Sequence, residues 1–116
     1  MSARSIMSAK LLIIIATGEK EKAKTGMMYA RNAIKHRWLE DVKVVFFGPS
    51  ERLVAEDEDM AKRAQEIAKL SECVACKHIS DTESLSGNLS KLGIKIEYVG
   101  PIISNLIEDG YIPMVW

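Results

Sequence analysis

The chain is poor in cysteine. Two in 116 residues are far too few to staple a small secreted scaffold, and they fit a reducing compartment. Net charge is lacking too, since sixteen basic and sixteen acidic residues cancel. That balance gives no electrostatic reason to expect nucleic acid or an anionic membrane as partner. The longest apolar run, Leu11 to Ala16, is only strand length, against the ~20 residues that span a bilayer. The opening Met1 to Lys10 has no extended apolar segment of a secretory leader, so a cytoplasmic location is expected. Also missing are the glycine spacings of a dinucleotide fingerprint or a P-loop, a G-x-S-x-G elbow and any Ser-His-Asp pattern. No cofactor and no metal centre is expected. The length suits one domain with a substantial core.

What is present is an alternation of strands and helices. Residues 1–9 read as a flexible N-terminal arm, and 10–116 as the single domain. Lys10 to Ala16 is a continuous apolar run, as in a central strand covered on both faces. It stops at Thr17-Gly18. From Glu19 to about Trp38, Ala23, Met27, Ala30, Ile34 and Trp38 recur at helical spacing, with Lys35, His36 and Arg37 suiting the dipole at the far end. Val42 to Phe47 is a second strand, closed by Gly48-Pro49-Ser50. A connecting piece through Leu53 and Val54 leads to Glu56-Asp57-Glu58-Asp59, the acidic opening of a second helix that turns Met60, Ala64 and Ile67 inward.

Glu72 to Cys76 is the third strand. Ser80-Asp81-Thr82-Glu83 fits a capping box for a helix carrying Leu85, Leu89 and Leu92. Gly93 is placed to end it. Ile94 to Val99 alternates as a fourth strand. Gly100-Pro101 opens a short helix ending at Gly110, and Tyr111 to Trp116 is the last strand, marked as an edge by Pro113. Five strands alternating with four helices predict an α/β fold of three α/β/α layers around a mainly parallel sheet.

Open parallel sheets gather their chemistry at the carboxyl ends of the strands. Those exits put Thr17, Gly18, Gly48, Lys77, His78 and Gly100 in position to bind a substrate, and only Cys76 there is a nucleophile. A thiol at a helix start sits near unpaired amides that favour an anion; the competing reading is a small packing residue. Position favours the nucleophile. Cys73-Val74-Ala75-Cys76 is formally a C-x-x-C. On an extended strand, however, its ends lie ~10 Å apart and face opposite sides of the sheet, beyond the ~7 Å a disulfide spans. Cys73 is therefore expected in the core. His78 reads either as an exposed loop residue or as a group tuning the thiol. Thr17-Gly18-Glu19 is a weak candidate anion loop.

The first strand running into Thr17-Gly18, Phe47-Gly48-Pro49, Ala75-Cys76, Ile96 to Gly100 and Glu108-Asp109-Gly110-Tyr111 together resemble the DsrE/DsrF-like family of small sulfur-relay proteins. The likeness runs over nearly the whole chain after the arm. It implies trimers or hexamers, and a cysteine corresponding to Cys76 that takes sulfane sulfur as a persulfide from a donor protein and passes it to an acceptor. The alternative is a non-catalytic oligomeric module holding a small anion or nucleotide at the strand ends. Met27-Met28, Tyr29, Trp38 and the terminal Met114-Val115-Trp116 offer more apolar surface than one helix face uses, which also favours a homo-oligomer.

Overall fold

The computed structural model describes residues 8–116. The arm expected over residues 1–9 thus lies mostly outside the described residues; Ala9 is already tied in, its carbonyl accepting from the Glu40 amide at 2.9 Å. Five strands, β1 (Lys10–Ile15), β2 (Asp41–Phe46), β3 (Cys73–Cys76), β4 (Lys95–Glu97) and β5 (Ile112–Val115), form one sheet in the order β4-β3-β2-β1-β5. Every pairing is parallel. Six helices connect them: α1 (Lys20–Lys35), α2 (Ser50–Glu56), α3 (Glu58–Leu70), α4 (Lys77–Thr82), α5 (Ser86–Lys91) and α6 (Val99–Glu108). Among the described residues, no helix is long and apolar enough to cross a membrane.

The alternation along β1 divides the core. Leu11, Ile13 and Ile15 face one side, where α1, α2, α3 and the segment around α5 pack Met27, Val54, Met60, Ile67 and Leu89 against them. Leu12 faces the other side with Val45, Val74 and Cys76, beneath Val99, Ile102 and Leu106 of α6. The two sides are unequally covered. One long helix lies over the second face, so Ile14 of β1 is only partly buried and Val115 of β5 is 64% exposed. β5 is an edge, as Pro113 predicts: paired to β1 on one side, it has no neighbouring strand on its other side among the described residues.

Four expectations are corrected. The first helix ends at Lys35, and Arg37 turns back at φ 53°. Trp38 therefore leaves the predicted apolar stripe and rests on His36 and Tyr29, with ring centroids 5.8 and 5.9 Å away. The connecting piece before the acidic run is itself a helix, α2. Asp57 then caps α3, accepting from the Met60 amide at 2.9 Å, while Lys20 pairs with it at 3.0 Å. The capping box at Ser80 does not form. α4 begins directly at the end of β3, so Ser80 lies inside a helix and is fully buried, and α5 starts only at Ser86, after a left-handed turn at Ser84. Finally, α6 starts at Val99. Pro101 is its third residue, still within the first turn, where the amide has no helical partner to lose.

Candidate functional site

The strand exits are held together by Gly48-Pro49-Ser50-Glu51. Gly48 takes φ 119°, a conformation that favours glycine, and a Cβ there would stand a tight 3.2 Å from the Ala16 carbonyl oxygen. Ser50 donates its hydroxyl to the Ile15 carbonyl at 2.5 Å and its amide to Ala16 at 3.1 Å, fastening α2 to the end of β1. Gly18 lies against the same loop; an added Cβ would come within 2.9 Å of the Pro49 Cβ. Gly18 and Gly48 are thus brought together.

Glu51 is the most unexpected member. Its side chain is fully buried. Oε2 accepts from the Gly48 amide at 3.1 Å and Oε1 from the Ser80 hydroxyl at 2.5 Å, and the Cys76 amide donates toward the same carboxylate. One side chain therefore joins the β2 exit, the end of β3 and α4. Burial pushes its carboxyl above the ordinary value, against the pull of the Ser80, Gly48 and Cys76 donors. Sequence reading missed Glu51, Ser50 and Ser80. The available signal was a Ser-Glu pair at a strand exit, read only as a connection.

The two cysteines face opposite sides of the sheet, as the strand geometry requires, and both are free thiols. Cys73 is 1% exposed within the heavily covered face, where burial pushes its thiol up to about 12. Cys76 caps α4, with its side chain making no cap hydrogen bond. The nucleophile expected at this strand exit is largely covered: Cys76 is 7% exposed. The reason is the direct β3–α4 junction together with Val99, the first residue of α6, and Ile79, which close over it.

The remaining sequence-predicted residues are dispersed. Lys77 is paired with Asp81 at 3.0 Å along α4, which raises its pKa through that hydrogen bond. His78 is exposed. Gly100 is exposed near the start of α6, and nothing lies within 4 Å of where its Cβ would be. The Thr17 hydroxyl accepts from the Glu19 amide at 3.1 Å. Glu19 in turn fills the N-terminus of α1, accepting from the Glu21 and Lys22 amides at 3.0 and 2.8 Å. An incoming anion would have to displace this carboxylate, which disfavours the anion-binding alternative.

Two clefts, of about 480 and 300 Å³, open beside Pro49. Arg52 lines both, but its guanidinium is engaged by Glu56 at 2.8 Å and Glu83 at 2.9 Å. A further cleft, of about 640 Å³, lies at the opposite end of the sheet among Arg37, Leu39, Asp41 and Ser71.

Neither a family model nor a curated protein matches the chain. Among solved structures it is similar to a conserved protein of unknown function from Bacteroides thetaiotaomicron. The likeness has a TM-score of 0.86 at 23% identity and covers 92% of this chain and 94% of that one. It shows a shared fold.

Proposed function

We propose that the chain is a cytoplasmic sulfur-relay subunit of the DsrE/DsrF type, with Cys76 as the sulfur carrier. The observation that carries this reading is the contrast between its two thiols. Cys73 is sealed in the fully packed face, whereas Cys76 ends its strand at the carboxyl edge of the sheet, on the more thinly covered face beneath α6 and Ile79, and caps a helix without spending its sulfur on a hydrogen bond. Facing away from Cys73, it is protected from oxidation to an internal disulfide.

The transfer needs no external oxidant. The Cys76 thiolate attacks the outer sulfur of a donor persulfide R–S–SH, and the S–S bond breaks to release RS⁻ and leave Cys76–S–SH. An acceptor thiolate then takes the outer sulfur and returns Cys76 as its thiolate. Because 7% of the residue is exposed, the reacting sulfur must arrive on a narrow group, and a small alkylating reagent is expected to modify Cys76 faster than a bulky one. Incubation with a persulfide donor should add the mass of one sulfur atom per chain. Cys73→Ala should keep that gain and Cys76→Ser should lose it completely. A gain that persists in Cys76→Ser would refute the assignment.

The thinly covered second face supports a homo-oligomer, a trimer or hexamer by the family resemblance. Its apolar positions include Ile14, Val115 and Ile107, which a second copy would bury. Val115→Asp is expected to reduce the mass measured by sedimentation to that of a single chain. An unchanged mass would remove this face from the interface.

A further inference from the structure

Among the described residues the sheet has two edges, β4 and β5, and they are protected by different means. β4 is three residues long and begins and ends on a charge, with Lys95 held by Glu72 at 2.9 Å. Shortness and charge both discourage pairing with another chain. β5 has no such charge: Ile112 to Trp116 contains no charged side chain, and Ile112 and Val115 are 58% and 64% exposed. Its protection is Pro113. We infer that Pro113 stops β5 from pairing edge to edge with a second copy of this chain, and so confines self-association to the face of the sheet. The inference does not depend on the chemistry of Cys76.

The hydrogen bonds at the end of β5 fix the direction of its backbone. The Trp116 amide donates to the Ile14 carbonyl at 2.8 Å, and the Trp116 carbonyl accepts from the Ala16 amide at 2.8 Å. Backbone groups alternate sides along a strand, so Ile112, Met114 and Trp116 turn theirs toward β1. Pro113 and Val115 turn theirs outward, and neither has a backbone partner among the described residues. That outward row is where another strand would attach. Two copies meeting about a twofold axis would run antiparallel, with Pro113 of each opposite Val115 of the other. In such a pair the amide of each residue donates to the carbonyl of the other. Proline has no N–H, and its ring fills the space where the hydrogen would lie. Half of the bonds are thereby lost and the copies are held apart. β5 itself loses nothing, because its bonds to β1 do not use the nitrogen of residue 113.

The test is Pro113→Thr, which restores the N–H without adding apolar surface and suits an extended strand. Its mass by sedimentation is expected to be at least double that of the wild type at the same concentration. Its Val115 amide should exchange with deuterium, followed by NMR, roughly tenfold more slowly than in the wild type. A Pro113→Thr protein that melts like the wild type and keeps its mass would overturn the inference. So would a gain in mass that leaves the Val115 amide unprotected, since the new contact would then lie away from the edge. The wild type gives a reading that needs no substitution: the Trp116 amide should exchange slowly and the Val115 amide fast. Slow exchange at Val115 in the wild type would show the edge already paired, and Pro113 would then be no barrier.

Discussion

Glu51→Ala is expected to destabilise the fold by about 2 to 5 kcal/mol, since each buried donor left without its acceptor costs about 1 to 3 kcal/mol. The substitution leaves the Ser80 hydroxyl and the Gly48 amide without their acceptor, takes away the carboxylate toward which the Cys76 amide points, and opens a cavity besides. Total stability for a domain of this size is about 5–15 kcal/mol, so a loss of that size should be plain in urea or thermal denaturation. Glu51→Gln should cost far less, because the amide still bridges the segments.

The same pair has a signed dependence on pH. Glu51 holds its proton more tightly in the folded state than the ordinary value of 4.5. Its contribution is therefore fully present below the unfolded value and is lost as pH rises through the higher folded one. The gap between Glu51→Gln and wild type should accordingly shift in favour of Gln between acid and neutral pH. Asp57 and Asp81, whose pKa values are lowered by their hydrogen-bonding partners, work in the opposite sense. They are common to both proteins and cancel in the difference. Parallel stability curves would show that Glu51 is charged in neither state or alike in both.

The second large effect is at Gly26, midway along α1. Replacing a helical glycine by a larger residue normally gains up to about 1 kcal/mol, as for alanine. Here an added Cβ would stand 2.6 Å from Cγ of Trp116 and 2.8 Å from Cδ1 of Ile15. Ile15 has a flexible end that can give, but Cγ of Trp116 is the root of its ring and moves only with the whole side chain. Gly26→Val is therefore expected to lose about 2 to 4 kcal/mol, overpacking outweighing propensity. Gly87 of α5 is the control: nothing lies within 4 Å of its missing Cβ, so Gly87→Ala should be neutral or up to about 1 kcal/mol stabilising. Equal responses at the two glycines would show that Trp116 does not hold α1 in solution.

The contact at Gly26 also changes the reading of the chain's apolar end. Trp116 and Met114 pack against the α1-side core, and Met27 is buried there. Met28, Trp38 and Val115 are the exposed residues of that group. Composition correctly signalled surplus apolar surface, yet it could not say which residues the core would absorb.

Local patterning determined the elements. The run Leu11 to Ile15 can only be a doubly covered strand, and the parallel order follows because each helical crossover returns the chain to the same edge. The opposed facing of Cys73 and Cys76 needed nothing beyond the two-residue period of a strand. The sequence did not reveal that β3 would pass into α4 without a loop, that Cys76 would be covered by Val99 from a strand away, or that Glu51 would be drawn inside. Those outcomes depend on partners remote in sequence: Ser80 is 29 residues from Glu51. Periodicity reports which face a residue shares with its near neighbours, whereas burial of a charge is decided by whether distant donors converge on it, and only the folded chain brings them together.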